Sequence, residues 1–195
     1  MREAMSNPKI LVLSGSTRSG SVNVRLAGTI TRELTLLDCE VTRISLEDYS
    51  LPIYNGDLET QEGVPDNAVK LAKLFSSHDG VYIVSPEYNG SLTPLLKNTI
   101  DWISRVKPGE ENIVPYRGTV CAIAAASPGA MGGISMLYHL RDILVRLGML
   151  VISEQVAVGG AADAFDDLDK IKNERVAGFL TDACKSLVDK CLRLP

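Results

Sequence analysis

The chain of 195 residues is poor in what several large function classes require. Its 20 basic residues are outnumbered by 24 acidic ones, giving a formal charge of −4, so no basic stripe is available to track a nucleic-acid backbone. There are only 2 histidines, His78 and His139, and no GxSxG or related nucleophile motif for either to serve. The 4 cysteines, Cys39, Cys121, Cys184 and Cys191, show no CxxC or Cys/His ligand spacing and read as idle thiols. No apolar run approaches the ~20 residues that span a bilayer, and MREAMSNPKI at the N-terminus has no apolar run of a signal peptide. A cytoplasmic protein without a membrane span or a nucleic-acid partner is expected. Both Met1 and Met5 suit a start, and the residues up to Pro8 are expected to be flexible.

What is present is the composition of one globular domain, 45% hydrophobic and 23% charged, with no linker or internal repeat, so residues 1–195 are expected to form a single domain. Short apolar runs alternate with segments of helical period: ILVL (10–13), VYIV (81–84), TVCAI (119–123) and MLVI (149–152). A weaker run, 41–46, carries Thr42, Arg43 and Ser45 and suits an edge strand. Leu26, Ile30, Leu34 and Leu37 share one helix face, as do Leu137, Leu140, Leu144 and Leu147, and Val176, Leu180, Ala183 and Leu187. Shorter helices are expected over 66–77 and 94–106, the second opened by Pro94 in its first turn. Strands alternating with helices predict an α/β three-layer sandwich with a five-stranded parallel sheet of order 2-1-3-4-5. The crevice of that topology lies at the carboxyl ends of strands one and three, which directs attention to two loops.

The first loop is SGSTRSGSVN, Ser14 to Asn23. Gly15 and Gly20 relax the backbone, four hydroxyls surround them, and the following helix turns unpaired N–H groups toward the loop. Arg18 adds a planar cationic fork, so the loop is built to hold an anion. It lacks the GxxxxGK of a triphosphate loop and the GxGxxG of a dinucleotide loop, which leaves a terminal monophosphate as the simpler ligand. An ordinary serine-capped turn is the alternative. The second loop, SPEYNGSLTP from Ser85 to Pro94, offers stiff backbone and Tyr88 to the edge of a flat heterocycle. Taken alone, it reads better as a Pro/Asn/Gly turn with a surface tyrosine. ASPGAMGG, which contains Ser127, Gly129, Gly132 and Gly133, is a glycine-rich turn that suits close approach to a ligand or a flexible loop.

Together, GSTRSGSVN and PEYNGSLTPLLKNTIDW resemble the flavodoxin-like NAD(P)H-dependent FMN reductase family, which includes quinone, azo-dye and chromate reductases. The resemblance implies that Ser16, Arg18, Ser21 and Asn23 hold the FMN phosphate, that Pro86, Glu87, Tyr88, Asn89 and Gly90 meet the isoalloxazine ring, and that Ser127 approaches it from the other side. It further implies NADPH or NADH as donor, a ping-pong exchange with a small-molecule electron acceptor, and a homodimer or homotetramer. The flavin would carry the chemistry, so no catalytic side chain is named. Leu92, Thr93 and Pro94 depart from the family's NGSxPGxLKN pattern, which bears on the first turn of the helix they open. An FMN-binding electron carrier without nicotinamide turnover is the alternative, and a flavin-free regulatory domain on the same scaffold is a third reading. Trp102 and Ile103 are read as core, Asn98 and Asp101 as polar surface or helix-end contacts, and Asp163, Asp166, Asp167 and Asp169 as acids favouring the start of the last helix, with no metal site.

Overall fold

A computed structural model of the chain describes residues 7–107 and 113–194; the expectation for the first residues falls mostly outside that span. In chain order the elements are β1 (Lys9–Ser14), α1 (Val22–Thr35), β2 (Glu40–Ser45), a 3₁₀ turn (Leu46–Tyr49), α2 (Gly56–Glu62), α3 (Asp66–Ser77), β3 (Gly80–Val84), α4 (Pro94–Arg105), β4 (Val120–Ala126), α5 (Ile134–Arg146), β5 (Leu150–Val158) and α6 (Glu174–Arg193). The sheet is parallel throughout and ordered β2-β1-β3-β4-β5, as expected.

Alternation along the inner strands explains the two layers of core. Ile10, Val12, Tyr82, Val84, Ala122 and Ala124 face α1 and α6, where Leu26, Ile30, Leu34, Leu180 and Leu187 cover them. Leu11, Leu13, Val81, Ile83, Cys121 and Ile123 face the other way, under α3, α4 and α5, against Phe75, Ile100, Ile103 and Leu140. Each fully buried side chain of this size contributes about 1.5–3 kcal/mol, so both helix layers are held by the strands' own sequence. The inner position of β4, between β3 and β5 with every residue buried, explains why its side chains are all small or apolar. Among the described residues, no helix is long and apolar enough to cross a membrane.

Several expectations change. Strand β5 runs to Val158, well past Ile152, because it is an edge strand with an irregular register against β4 between Cys121 and Ile123. Its polar middle, Ser153 to Gln155, masks it in the sequence, and Arg141 supports the irregularity by donating to Val151 O, Ile152 O and Gln155 Oε1. Helix α2 has no apolar period because none of its residues is buried; the Asn55 side chain caps it by accepting from Asp57 N. Asn98 is no mere surface group. Its amide accepts from Tyr54 N at 2.8 Å and donates to Pro52 O at 2.9 Å, while buried Trp102 donates to the same carbonyl at 2.7 Å. The aspartates before α6 do not cap it either: Asn173 does, and Asp166 instead accepts from Leu168 N and Lys170 N. Asp169 pairs with Arg25, which docks this loop on α1.

The cysteines are free thiols. Burial pushes Cys184 and Cys191 up to about 12 and raises Cys39 and Cys121, so at neutral pH they are protonated and poor nucleophiles.

Candidate functional site

The carboxyl ends of β1, β3 and β4 deliver three loops to one place. Gly15 leaves β1 with its N–H bonded to Val84 O at 2.7 Å, and a Cβ there would come within 2.8 Å of Ser85 Oγ and 3.0 Å of Leu96 Cβ. Glycine is needed at this position for room rather than for an unusual φ. Gly20 is the conformational glycine: its φ is +69°, and the turn closes through Ser21 N to Arg18 O at 3.1 Å.

The departure at Leu92–Pro94 tightens the assembly. Thr93 caps α4 by accepting from Leu96 N, and its buried hydroxyl donates to Gly15 O at 2.7 Å, so the second loop is tied directly to the first. Pro94 occupies the first helical turn, where its missing N–H costs nothing.

Between the loops lies a cavity of about 430 Å³. The first loop contributes Ser16, Arg18, Ser21 and Asn23, and the second contributes Pro86, Glu87 and Tyr88. Ser127 joins them from the loop after β4. At this cavity the Ser21 hydroxyl makes no capping bond although Ser21 is the N-cap of α1. The N–H groups of the first turn therefore lack both an intrahelical partner and a side-chain cap. Among the described residues the Arg18 guanidinium has no hydrogen-bond or ion-pair partner. A free cation, the free Ser21 hydroxyl and free N–H groups in one recess form an anion-binding end.

Two residues named from the sequence act on the protein itself. Asn23 is buried, and its side chain donates to Ala126 O and accepts from Ala126 N, both at 2.8 Å, which clamps α1 to the end of β4. Glu87 accepts from Met136 N at 3.0 Å in the first turn of α5, so a carboxylate from the β3 loop complements that helix's positive end. Asn89 and Gly90 do not line the cavity. Their φ values, +52° and +76°, make the two-residue turn of a tight hairpin in which Tyr88 and Ser91 exchange backbone bonds. That hairpin leaves Tyr88 half exposed at the cavity mouth. His139, read from the sequence as without a role, approaches the same hairpin, with Nδ1 3.1 Å from Ser91 Oγ.

Sequence reasoning missed a fourth wall. Val22, Ala126 and Pro128 line the cavity beside residues already named, but Ala162 comes from the segment after β5. This segment is stitched to the loop after β4 by Ser127 N to Val158 O, Gly160 N to Gly129 O and Ala161 N to Ser127 O. The paired glycines 159 and 160 were its signal, hidden by the unread end of β5. A Cβ on Gly159 would sit 2.3 Å from Ala130 O, which shows how closely the two segments pack.

The chain is 38% identical over 153 residues to a quinone reductase of Escherichia coli, covering 78% of this chain and 77% of that protein. It is 32% identical over 181 residues to an NAD(P)H-dependent FMN reductase of Pseudomonas aeruginosa, covering 92% of each. Among solved structures, FerB, a flavoenzyme NAD(P)H:(acceptor) oxidoreductase of Paracoccus denitrificans, superposes with a TM-score of 0.77 at 26% identity, over 96% of this chain and 98% of that one. Residues 8–163 match the model of NADPH-dependent FMN reductases, and the chain belongs to that family.

Proposed function

We propose that the cavity binds FMN and that the protein is an NAD(P)H-dependent oxidoreductase delivering electrons to a quinone, a flavin, an azo compound or a metal oxyanion. The observation that carries this reading is the unpartnered guanidinium of Arg18 beside the uncapped Ser21 hydroxyl, in the same cavity as Pro86 and Tyr88. In this reading Ser16, Arg18, Ser21 and the first-turn N–H groups of α1 hold the phosphate. Pro86, Glu87 and Tyr88, with Ser127 opposite, form the walls for the ring. Asn23 and Glu87 are also positioning residues that fix the neighbouring helices; Asn89 and Gly90 shape the hairpin carrying Tyr88.

Such a flavin supplies two-electron transfer between a nicotinamide and a second acceptor. The protein's part is to hold it, exclude alternatives at its phosphate end and leave one face open. An open mouth beside Tyr88 admits donor and acceptor in turn, which is a ping-pong order, and selects weakly among acceptors. A homodimer or homotetramer of single-domain subunits in the cytoplasm completes the reading.

The purified chain should take up FMN, turn yellow, and bleach when NADPH or NADH is added without air. A chain that stays colourless after incubation with FMN sinks the proposal. Bleaching without subsequent reduction of any added quinone would favour the electron carrier.

Arg18→Ala should weaken FMN binding by about 1.5–3 kcal/mol, the range of a hydrogen bond to a charged group. Arg193→Ala, which removes only a surface pair with Asp189, serves as the control. Equal FMN affinity in the two variants would refute the role given to Arg18.

A further inference from the structure

Helix α5 carries the second loop along its flank. Its inner face is fixed, because Met136, Leu137, Leu140 and Leu144 are all fully buried against the sheet. Ser135 and His139, four residues apart and so one above the other, stand on the side that meets the Tyr88–Ser91 hairpin. Three contacts join the two pieces. At the foot of the hairpin the Glu87 carboxylate accepts from Met136 N at 3.0 Å. At its turn, a Cβ on Gly90 would lie 4.0 Å from Ser135 Cβ, an ordinary packing distance. On its return limb, Ser91 Oγ lies 3.1 Å from His139 Nδ1.

The last contact differs from the other two. Among the described residues it is the only side-chain hydrogen bond to the hairpin, since neither the Tyr88 nor the Asn89 side chain makes one. It forms with either tautomer of the imidazole, because a hydroxyl both donates and accepts. His139 is exposed, so this bond adds little to the stability of the fold. What it restrains is the hairpin, and with it Tyr88, which lines the cavity and stands half exposed at its mouth.

We infer that His139 is a positioning residue: through Ser91 it holds the hairpin so that Tyr88 keeps its place in the cavity wall. The inference rests on the flavin reading above, in which Tyr88 bounds the ring end of the site and Arg18 the phosphate end. Ordering a loose hairpin would subtract from the free energy of binding, whereas a hairpin already held by α5 is ready for the ring. The effect belongs to the ring end alone. Loss of the contact therefore weakens every ligand that carries the isoalloxazine ring by the same factor, with or without a phosphate.

The test compares FMN with riboflavin, which has the same ring and no phosphate, by flavin-fluorescence titration of the flavin-stripped full chain. His139→Ala should weaken both ligands equally, by about three- to tenfold, the span of one neutral hydrogen bond. Its flavin-free melting temperature should stay within about 1–2 °C of wild type, as for an ordinary surface substitution. Arg18→Ala should instead weaken FMN and leave riboflavin unchanged. His139→Asn should restore both affinities, because the asparagine amide places a polar atom as far along the side chain as Nδ1; His139→Gln, whose amide lies further out, should not. Ser91→Ala should match His139→Ala, and the double variant should bind no more weakly than either. Unchanged affinities in His139→Ala, a loss confined to FMN, rescue by glutamine as complete as by asparagine, losses that add in the double variant, or a melting temperature lowered beyond that range each overturn the inference alone. A wild type that binds neither ligand overturns the flavin reading along with it.

Discussion

Replacing Gly132 by alanine should destabilise the protein by about 2–5 kcal/mol and open the Ser127 side of the cavity. Two independent costs meet at this residue. Its φ is +63°, a conformation that costs an L-residue about 1–2 kcal/mol. A Cβ would also lie 2.8 Å from Ala157 C, Val158 N and Gly159 N, all backbone atoms that cannot rotate away, and overpacking of this kind costs about 1–3 kcal/mol. Gly160→Ala isolates the first cost, because Gly160 has φ +57° but nothing near its absent Cβ. Denaturant titration of both variants should therefore place Gly132→Ala well below Gly160→Ala. If the two fall together, the contact between the loop after β4 and the end of β5 is not what holds the cavity's fourth wall.

That wall marks where sequence reading stops. The strand order was legible because β1, β3 and β4 are continuous apolar runs, buried on both faces, with helices of clear period between them. The two cavity loops were legible because each carries residues with local meaning: a cation and hydroxyls before a helix, and an Asn-Gly pair before a proline-started helix. The second half of β5 was illegible, since an edge strand with an irregular register needs no apolar alternation, and its polar residues are satisfied by Arg141 and Ser186 from elsewhere in the chain. With that half unread, Gly159 and Gly160 had no strand to follow and Ala162 no site to line.

Side-chain partners were the other blind spot. Thr93 looked like a disturbance of the second loop until its hydroxyl was found on Gly15 O. Asn98 looked like helix surface because its partners, Pro52 and Tyr54, lie more than forty residues earlier in the chain. Arg43 read only as a polar residue tolerated on an edge strand; its place over Gly28 requires the β1–β2 register and the packing of α1. Spacing along the chain reports none of these contacts, whereas it does report the period of a helix or strand.

Asn23 shows how such a partner alters a functional assignment. The resemblance to flavin reductases assigns it to the phosphate, and it does line the cavity, yet its amide oxygen and nitrogen are both engaged with the backbone of Ala126. Asn23→Ala leaves a buried N–H and C=O at the end of β4 without that partner, at about 1–3 kcal/mol each. Water from the adjoining cavity can recover part of this, so a net loss of about 2–4 kcal/mol is expected in the flavin-free protein. Asn23→Asp should not rescue it, because a carboxylate accepts from Ala126 N but is repelled by Ala126 O. The contrast with Arg18 decides between the roles. Arg18→Ala should lower FMN affinity with little change in the flavin-free melting temperature, whereas Asn23→Ala should lower the melting temperature first and FMN affinity as a consequence. If Asn23→Ala instead weakens FMN with the flavin-free stability intact, its amide serves the phosphate directly and the clamp between α1 and β4 is incidental.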